Sequence, residues 1–110
     1  MNEVSLEELS VERFAELVGT GFHVQVPGAA PVGLDLTSVT PPQFAGPGGS
    51  EPRYESFSLF FDGPAEHPLV QRIYAFEHDR LGRFELFIVP VANERGRLQY
   101  QAVFNRRRQV

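Results

Sequence analysis

From Phe22 onward, apolar residues return at every second position in one segment after another, and Pro and Gly separate the segments. Phe22, Val24 and Val26 alternate with His23 and Gln25. Val32, Leu34 and Leu36 alternate with Gly33, Asp35 and Thr37. Phe57, Leu59 and Phe61 share one face of a run from Tyr54 to Asp62, and Leu98, Tyr100, Ala102 and Phe104 share one face of another. A side-chain period of two is that of a strand with one buried face. Val70 to Glu77 and Arg83 to Val89 complete the set. The spacing leaves no room for the helical crossovers that parallel strands need. The expectation is a mainly β chain: about six antiparallel strands in a meander, forming a small barrel or a tight sandwich.

Only the start of the chain has helical punctuation. Ser10 occupies an N-cap position, Leu9 and Phe14 have the spacing of a hydrophobic staple, and Gly19 supplies a stop. The pattern predicts one short helix over 11–18, packed on the sheet. Residues 1–8 read as a flexible acidic tail. Pro41 to Pro52, PPQFAGPGGSEP, reads as a long surface loop in which neither helix nor ladder forms, with Phe44 as its lone aromatic. Residues 106–110 read as a basic tail. Asn93-Glu94-Arg95-Gly96 reads as a hairpin turn.

The 110 residues suit a single domain. Cysteine is absent, so the sequence offers no disulfide, thiolate nucleophile or sulfur metal site. All ten basic residues are Arg, which excludes Schiff-base lysines and a phosphate-loop lysine. A net charge of −4 argues against nucleic-acid binding by the whole surface. No leader-like or membrane-length apolar run is visible, so a cytoplasmic location off the membrane is expected. No sequence feature sets an oligomeric state.

The densest chemistry lies in YAFEHDRLGRFELFIVP, Tyr74 to Pro90, where Glu77, His78, Asp79 and Arg80 are consecutive. These residues read as a hairpin bend. Asp79-Arg80-Leu81-Gly82 is taken as a four-residue loop with Gly82 at positive φ. That loop length sets His78 opposite Arg83 and Glu77 opposite Phe84. Ala75 then faces Leu86, and Ile73 faces Ile88, with these four on the buried face. Glu77 and His78 point to opposite sides of a strand, and a metal needs three or four convergent ligands. No metal and no cofactor is expected. The opposite face, with Tyr74, Phe76, Phe87 and Val89, is also apolar. It is expected either to lie under the N-terminal helix, the favoured arrangement, or to bind a partner.

Ser56 and Ser58 lack a nucleophile-elbow context. His67 reads as a solvated loop residue, and Gly46-Pro47-Gly48-Gly49 lacks the lysine and following helix of a phosphate loop. Arg106-Arg107-Arg108 reads as a solvated strand end. No catalytic residue is assigned.

Three segments carry a resemblance: LSVERFAELVGTGFHV, then FSLFFDGPAEHPLVQRIYAFEHDRLGRFELFIVPV, then YQAVFN. The chain resembles a family of small bacterial domains of unknown function. Members carry a Phe-Ser-Leu-x-Phe-x-Gly-Pro segment (here Phe57 to Pro64), a Tyr-x-x-Glu-His turn (Tyr74 to His78), a Phe-x-Val-Pro-Val strand end (Phe87 to Val91) and a Tyr-x-Ala-x-Phe-Asn close (Tyr100 to Asn105). Asp79 stands where Pro often follows the Glu-His pair. Such domains tend to be encoded beside phage-tail-collar-like proteins of the microcystin-dependent type. The resemblance implies an accessory or adaptor of a tail-fibre-like assembly and implies no catalytic residues.

The expected function is therefore a non-catalytic interaction or structural module with a protein partner, with Phe44, Tyr74, Phe76 and Phe87 as partner-binding residues. The alternative is a small-ligand-binding barrel using Tyr54, Phe57, Phe60 and Tyr74.

Overall fold

The computed structural model describes residues 8–46 and 53–108. A short helix, α1 (Val11–Ala15), precedes seven strands: β1 (Gly21–Gln25), β2 (Val32–Val39), β3 (Gln43–Ala45), β4 (Arg53–Pro64), β5 (Arg72–His78), β6 (Gly82–Glu94) and β7 (Arg97–Arg108). All pairings among them are antiparallel. The sheet order is β2-β1-β5-β6-β7-β4-β3, and an additional β2–β4 pairing closes six strands into a barrel with β3 outside the ring.

The order departs from a plain meander. β1, β2 and β4 form one three-stranded unit, and β5, β6 and β7 form another. The two join at β1–β5 and at β4–β7. The β4–β7 seam is the longest, running from Arg53↔Arg108 to Pro64↔Arg97. Closure removes the free edges that an open sheet would present. Two irregularities accompany it: the register shifts in β2 between Leu36 and Ser38, and in β6 between Pro90 and Ala92. The second lies beside Pro90, which has no amide to give a ladder, as expected for a strand proline.

The interior follows the predicted alternation in β1, β2, β4 and β7. Phe22, Val24, Leu34, Leu36, Phe57, Leu59, Phe61, Tyr100, Ala102 and Phe104 are all buried. Aromatic rings meet along this core. Phe57 stacks on Phe104 at 4.6 Å and 7°, Phe22 meets Phe61 edge-on at 5.4 Å, and Phe76 lies 5.7 Å from Phe84. At one mouth, the Tyr100 hydroxyl accepts the Leu69 amide at 2.9 Å, which fixes the β4–β5 connection over the barrel.

Three expectations are corrected, and one falls outside the described residues. The Pro41–Pro52 stretch holds a strand: Gln43, Phe44 and Ala45 pair with Ser56, Glu55 and Tyr54. A three-residue ladder forms there because β4 extends past the ring and offers a partner. Residues 47–52 lie outside the described residues. The last strand continues to Arg108, so Arg106–Arg108 is ladder, paired to Glu55, Tyr54 and Arg53. The expected tail over 1–8 lies outside the described residues except for Glu8. Finally, the β5–β6 register is shifted by one. His78 pairs with Gly82, Glu77 with Arg83, Phe76 with Phe84, Tyr74 with Leu86 and Ile73 with Phe87. The turn therefore holds three residues, Asp79-Arg80-Leu81, before Gly82. A one-residue slip exchanges faces. Tyr74, Phe76, Leu86 and Ile88 point inward, and Ile73 and Phe87 outward.

The helix is as the cap predicts but shorter. The Ser10 side chain accepts the Arg13 amide at 3.0 Å, and Gly19 has φ 91°. The helix does not cover the Phe87 face. Its position follows from a divergence of two strands: β6 and β7 pair from Val89↔Gln101 towards their turn. Gly82 to Ile88 is paired to β5, and Ala102 to Arg108 to β4. Phe14 is fully buried, with its ring 5.5 Å from Phe104, 6.3 Å from Phe84 and 6.4 Å from Phe57. It thus bridges β4, β6 and β7 where the last two part, and Leu9, Val11 and Leu17 are buried with it.

Candidate functional site

Arg106 shows how a charge expected at the surface becomes part of the interior. Its side chain is 11% exposed and that of Glu55 is 8% exposed. One guanidinium nitrogen donates to Glu55 Oε1 at 2.9 Å, and another donates to the Leu9 carbonyl at 2.6 Å. The guanidinium carbon lies 5.0 Å from the Phe57 ring centre and 5.5 Å from that of Phe104. A planar cation can stack and pair at once, which a lysine could not do as well. The arrangement ties the segment before α1 to the β4–β7 seam.

His78 is also buried, 5% exposed. Its Nδ1 accepts the Arg80 amide at 3.0 Å, and its Nε2 lies 2.9 Å from Thr20 Oγ1. An acceptor at Nδ1 requires the proton at Nε2 in the neutral ring. His78 thus donates to Thr20, and Thr20 donates to the Leu17 carbonyl at 2.7 Å. The ring also lies 4.4 Å from Phe22. Burial lowers the His78 pKa below the usual 6.5, the Asp79 carboxylate pulls it back up, and Arg80, Arg13 and His23 lower it further. Both ring nitrogens are committed within the fold. Glu77 is on the other side of the strand and meets Arg83 at 3.9 Å, an exposed pair of little energetic weight. Among the described residues, no three His, Asp or Glu groups gather as a metal-ligand set.

The predicted partner-binding residues separate. Tyr74 is 5% exposed and Phe76 is fully buried, because the corrected register turns them inward, so neither is offered to a partner in this structure. Phe87 is 46% exposed and Phe44 is 54% exposed. Phe44 stands apart from Phe87, on β3 at the outer edge of the sheet. Phe87 instead acquires Ile73 as its cross-strand neighbour, a residue that sequence reasoning placed on the buried face. Ile73, directly across on β5, is exposed, and so are Val91 on β6 and Val103 on β7. Val89 pairs with Gln101, and beyond that pair β6 continues alongside β5 and β7 alongside β4. Ile73 and Phe87 thus form an exposed apolar cross-strand pair on the outer face of β5–β6, and Val91 and Val103 are further exposed apolar residues on β6 and β7. The alternation of β7 carries the signal for Val103: Ala102 and Phe104 face inward, so Val103 faces out.

The aromatic set of the alternative reading does not converge. Phe57 and Tyr74 belong to the packed core, whereas Tyr54 is 48% exposed and lies with Phe60 on the outer side of β4. The described concavities lie on the surface. One, about 390 Å³, runs between the Pro27–Pro31 and Pro64–Pro68 loops over Val26, Val32 and Leu69. Another, about 480 Å³, lies against the β6–β7 turn and is lined by Asp62, Glu94, Arg95, Arg97 and Gln99. Arg97 there is paired to Asp35 at 3.2 Å.

No helix among the described residues is long and apolar enough to cross a membrane. No curated protein and no solved structure matches the chain significantly. One family does match, over residues 9–104, which span α1 and all but the last residues of β7, and the chain therefore belongs to the domain of unknown function DUF6916.

Proposed function

We propose that this domain is a non-catalytic interaction module that docks a protein partner on the outer face of β5–β6–β7. The observation that carries this reading is the cross-strand pair Ile73–Phe87, exposed by 58% and 46% on a sheet whose other face already fills the core. An outward face of an antiparallel sheet is ordinarily polar. Apolar residues gathered on it mark a surface that another molecule covers. The turn chemistry of His78, the buried Arg106–Glu55 pair and the aromatic core all have structural roles, and the module reading needs none of them as a reactive group.

The partner class we infer is a tail-collar-like fibre protein of the kind that domains resembling this one are encoded beside, with this domain acting as its accessory or adaptor. The test is co-purification of the tagged domain with a tail-collar-like fibre protein. Retention by the unaltered domain and loss with Ile73→Asp is the expected result. Equal retention by both would place the interface elsewhere, and no retention by either would remove this partner class.

A further inference from the structure

We propose that His78 is a proton-operated latch: its neutral ring holds the segment following α1 to the β5–β6 turn, and protonation parts the two and uncovers apolar surface around Phe22, Leu81 and Phe84. The inference is independent of the outer-face reading. The geometry supplies each step. In the neutral ring, Nδ1 accepts the Arg80 amide and Nε2–H donates to Thr20, whose hydroxyl donates in turn to the Leu17 carbonyl. One imidazole therefore joins the turn on one side to the end of the helical segment on the other. A second tie, from Arg13 to the Arg80 carbonyl at 3.4 Å, spans the same junction. A proton added to the ring must go to Nδ1. That places an N–H against the Arg80 N–H, where an acceptor is required.

Burial works in the same direction, and the charges around the ring are divided. Arg80 on the turn, Arg13 on the helix and His23 on β1 disfavour a cation, and Asp79 alone opposes them. Arg13 is itself paired with Glu16 at 3.1 Å. Because burial lowers the closed-state pKa, the open state binds the proton more readily. The latch is thus intact above about 6.5, the ordinary histidine value. It weakens as pH falls below that value, and the weakening levels off below the lowered pKa of the closed state. Within this window the opening equilibrium rises by up to about tenfold per pH unit.

The test is NMR on the whole chain between pH 8 and pH 5. Expected are a ring protonated at Nε2, a His78 midpoint below 6.5, and faster exchange at the Arg80 and Thr20 amides once intrinsic rates are divided out. His78→Asn keeps an acceptor for the Arg80 amide but cannot titrate, so its exchange should not respond to pH in this way. Titration at or above 6.5, an Nδ1–H ring, unaltered Arg80 and Thr20 exchange, or the same acceleration in His78→Asn would each overturn the proposal. Should the variant fail to fold, the ring protonation site and midpoint in the unaltered protein decide.

Discussion

Replacing Phe14 with alanine tests whether the short helix is part of the core or an ornament on it. A five-residue helix has almost no stability of its own, since nucleation alone costs more than one turn returns. Its order must come from what it buries. Phe14 is fully buried and its ring meets Phe57 on β4, Phe84 on β6 and Phe104 on β7, at the position where β6 and β7 part. Phe-to-Ala changes at such sites cost about 3–5 kcal/mol, a transfer loss plus a cavity. The cost should lie towards the upper end, because paired β strands limit how far the site can collapse. A domain of this length has a total stability of roughly 5–15 kcal/mol, so the loss is a large fraction of it. At roughly 4 °C per kcal/mol, the melting temperature should drop by more than about 12 °C. Urea melts followed by far-UV circular dichroism measure this, with Val18→Ala on the exposed side of the same segment as control, expected within about 0.5 kcal/mol. A Phe14→Ala loss below about 1 kcal/mol would refute the reasoning. It would mean that the diverging β6 and β7 close without the wedge.

Two smaller changes test the punctuation around the same region. Gly82 has φ 87°, so Gly82→Ala should cost about 1–2 kcal/mol in denaturant melts, with Gly82→Val costing more; a neutral Gly82→Ala would mean that the turn adopts another form. Ser10→Ala removes the acceptor of the Arg13 amide and should cost about 1 kcal/mol, whereas Ser10→Asp should retain most of the stability.

The parts of this fold legible in the sequence are those where only one face of a strand is apolar. β4 alternates Phe57, Leu59 and Phe61 with two serines and Phe60, and β7 alternates Leu98, Tyr100, Ala102 and Phe104 with mostly polar residues, so the buried face could be assigned. In β5 and β6 both faces are apolar. Ile73 and Ala75 compete with Tyr74 and Phe76, and Leu86 and Ile88 compete with Phe87. Periodicity cannot choose between two apolar faces, and only the turn can. Gly82 was identified by its conformation, but a loop of four residues in place of three moved every pair by one. That slip also hid the outer apolar face, by sending Ile73 inward and Tyr74 and Phe76 outward. β3 escaped detection because its ladder is provided by β4 and not by its own residues. Arg106 read as solvated because its partners are distant in the chain: Glu55 is 51 positions away and Leu9 is 97.

The central claim is that the outer face around Phe87 docks a protein while the inner face holds the barrel together. Calorimetric titration of a tail-collar-like fibre protein, the proposed partner, with the unaltered domain and with Phe87→Asp, tests it most directly. A central apolar contact carries about 2 kcal/mol or more, a loss of roughly thirtyfold in affinity. The account predicts that loss together with a melting temperature nearly unchanged, because Phe87 contributes little to the core. Unchanged affinity in Phe87→Asp would contradict the assignment of this face, and a collapse of the melting temperature would contradict the register that turns Phe87 outward.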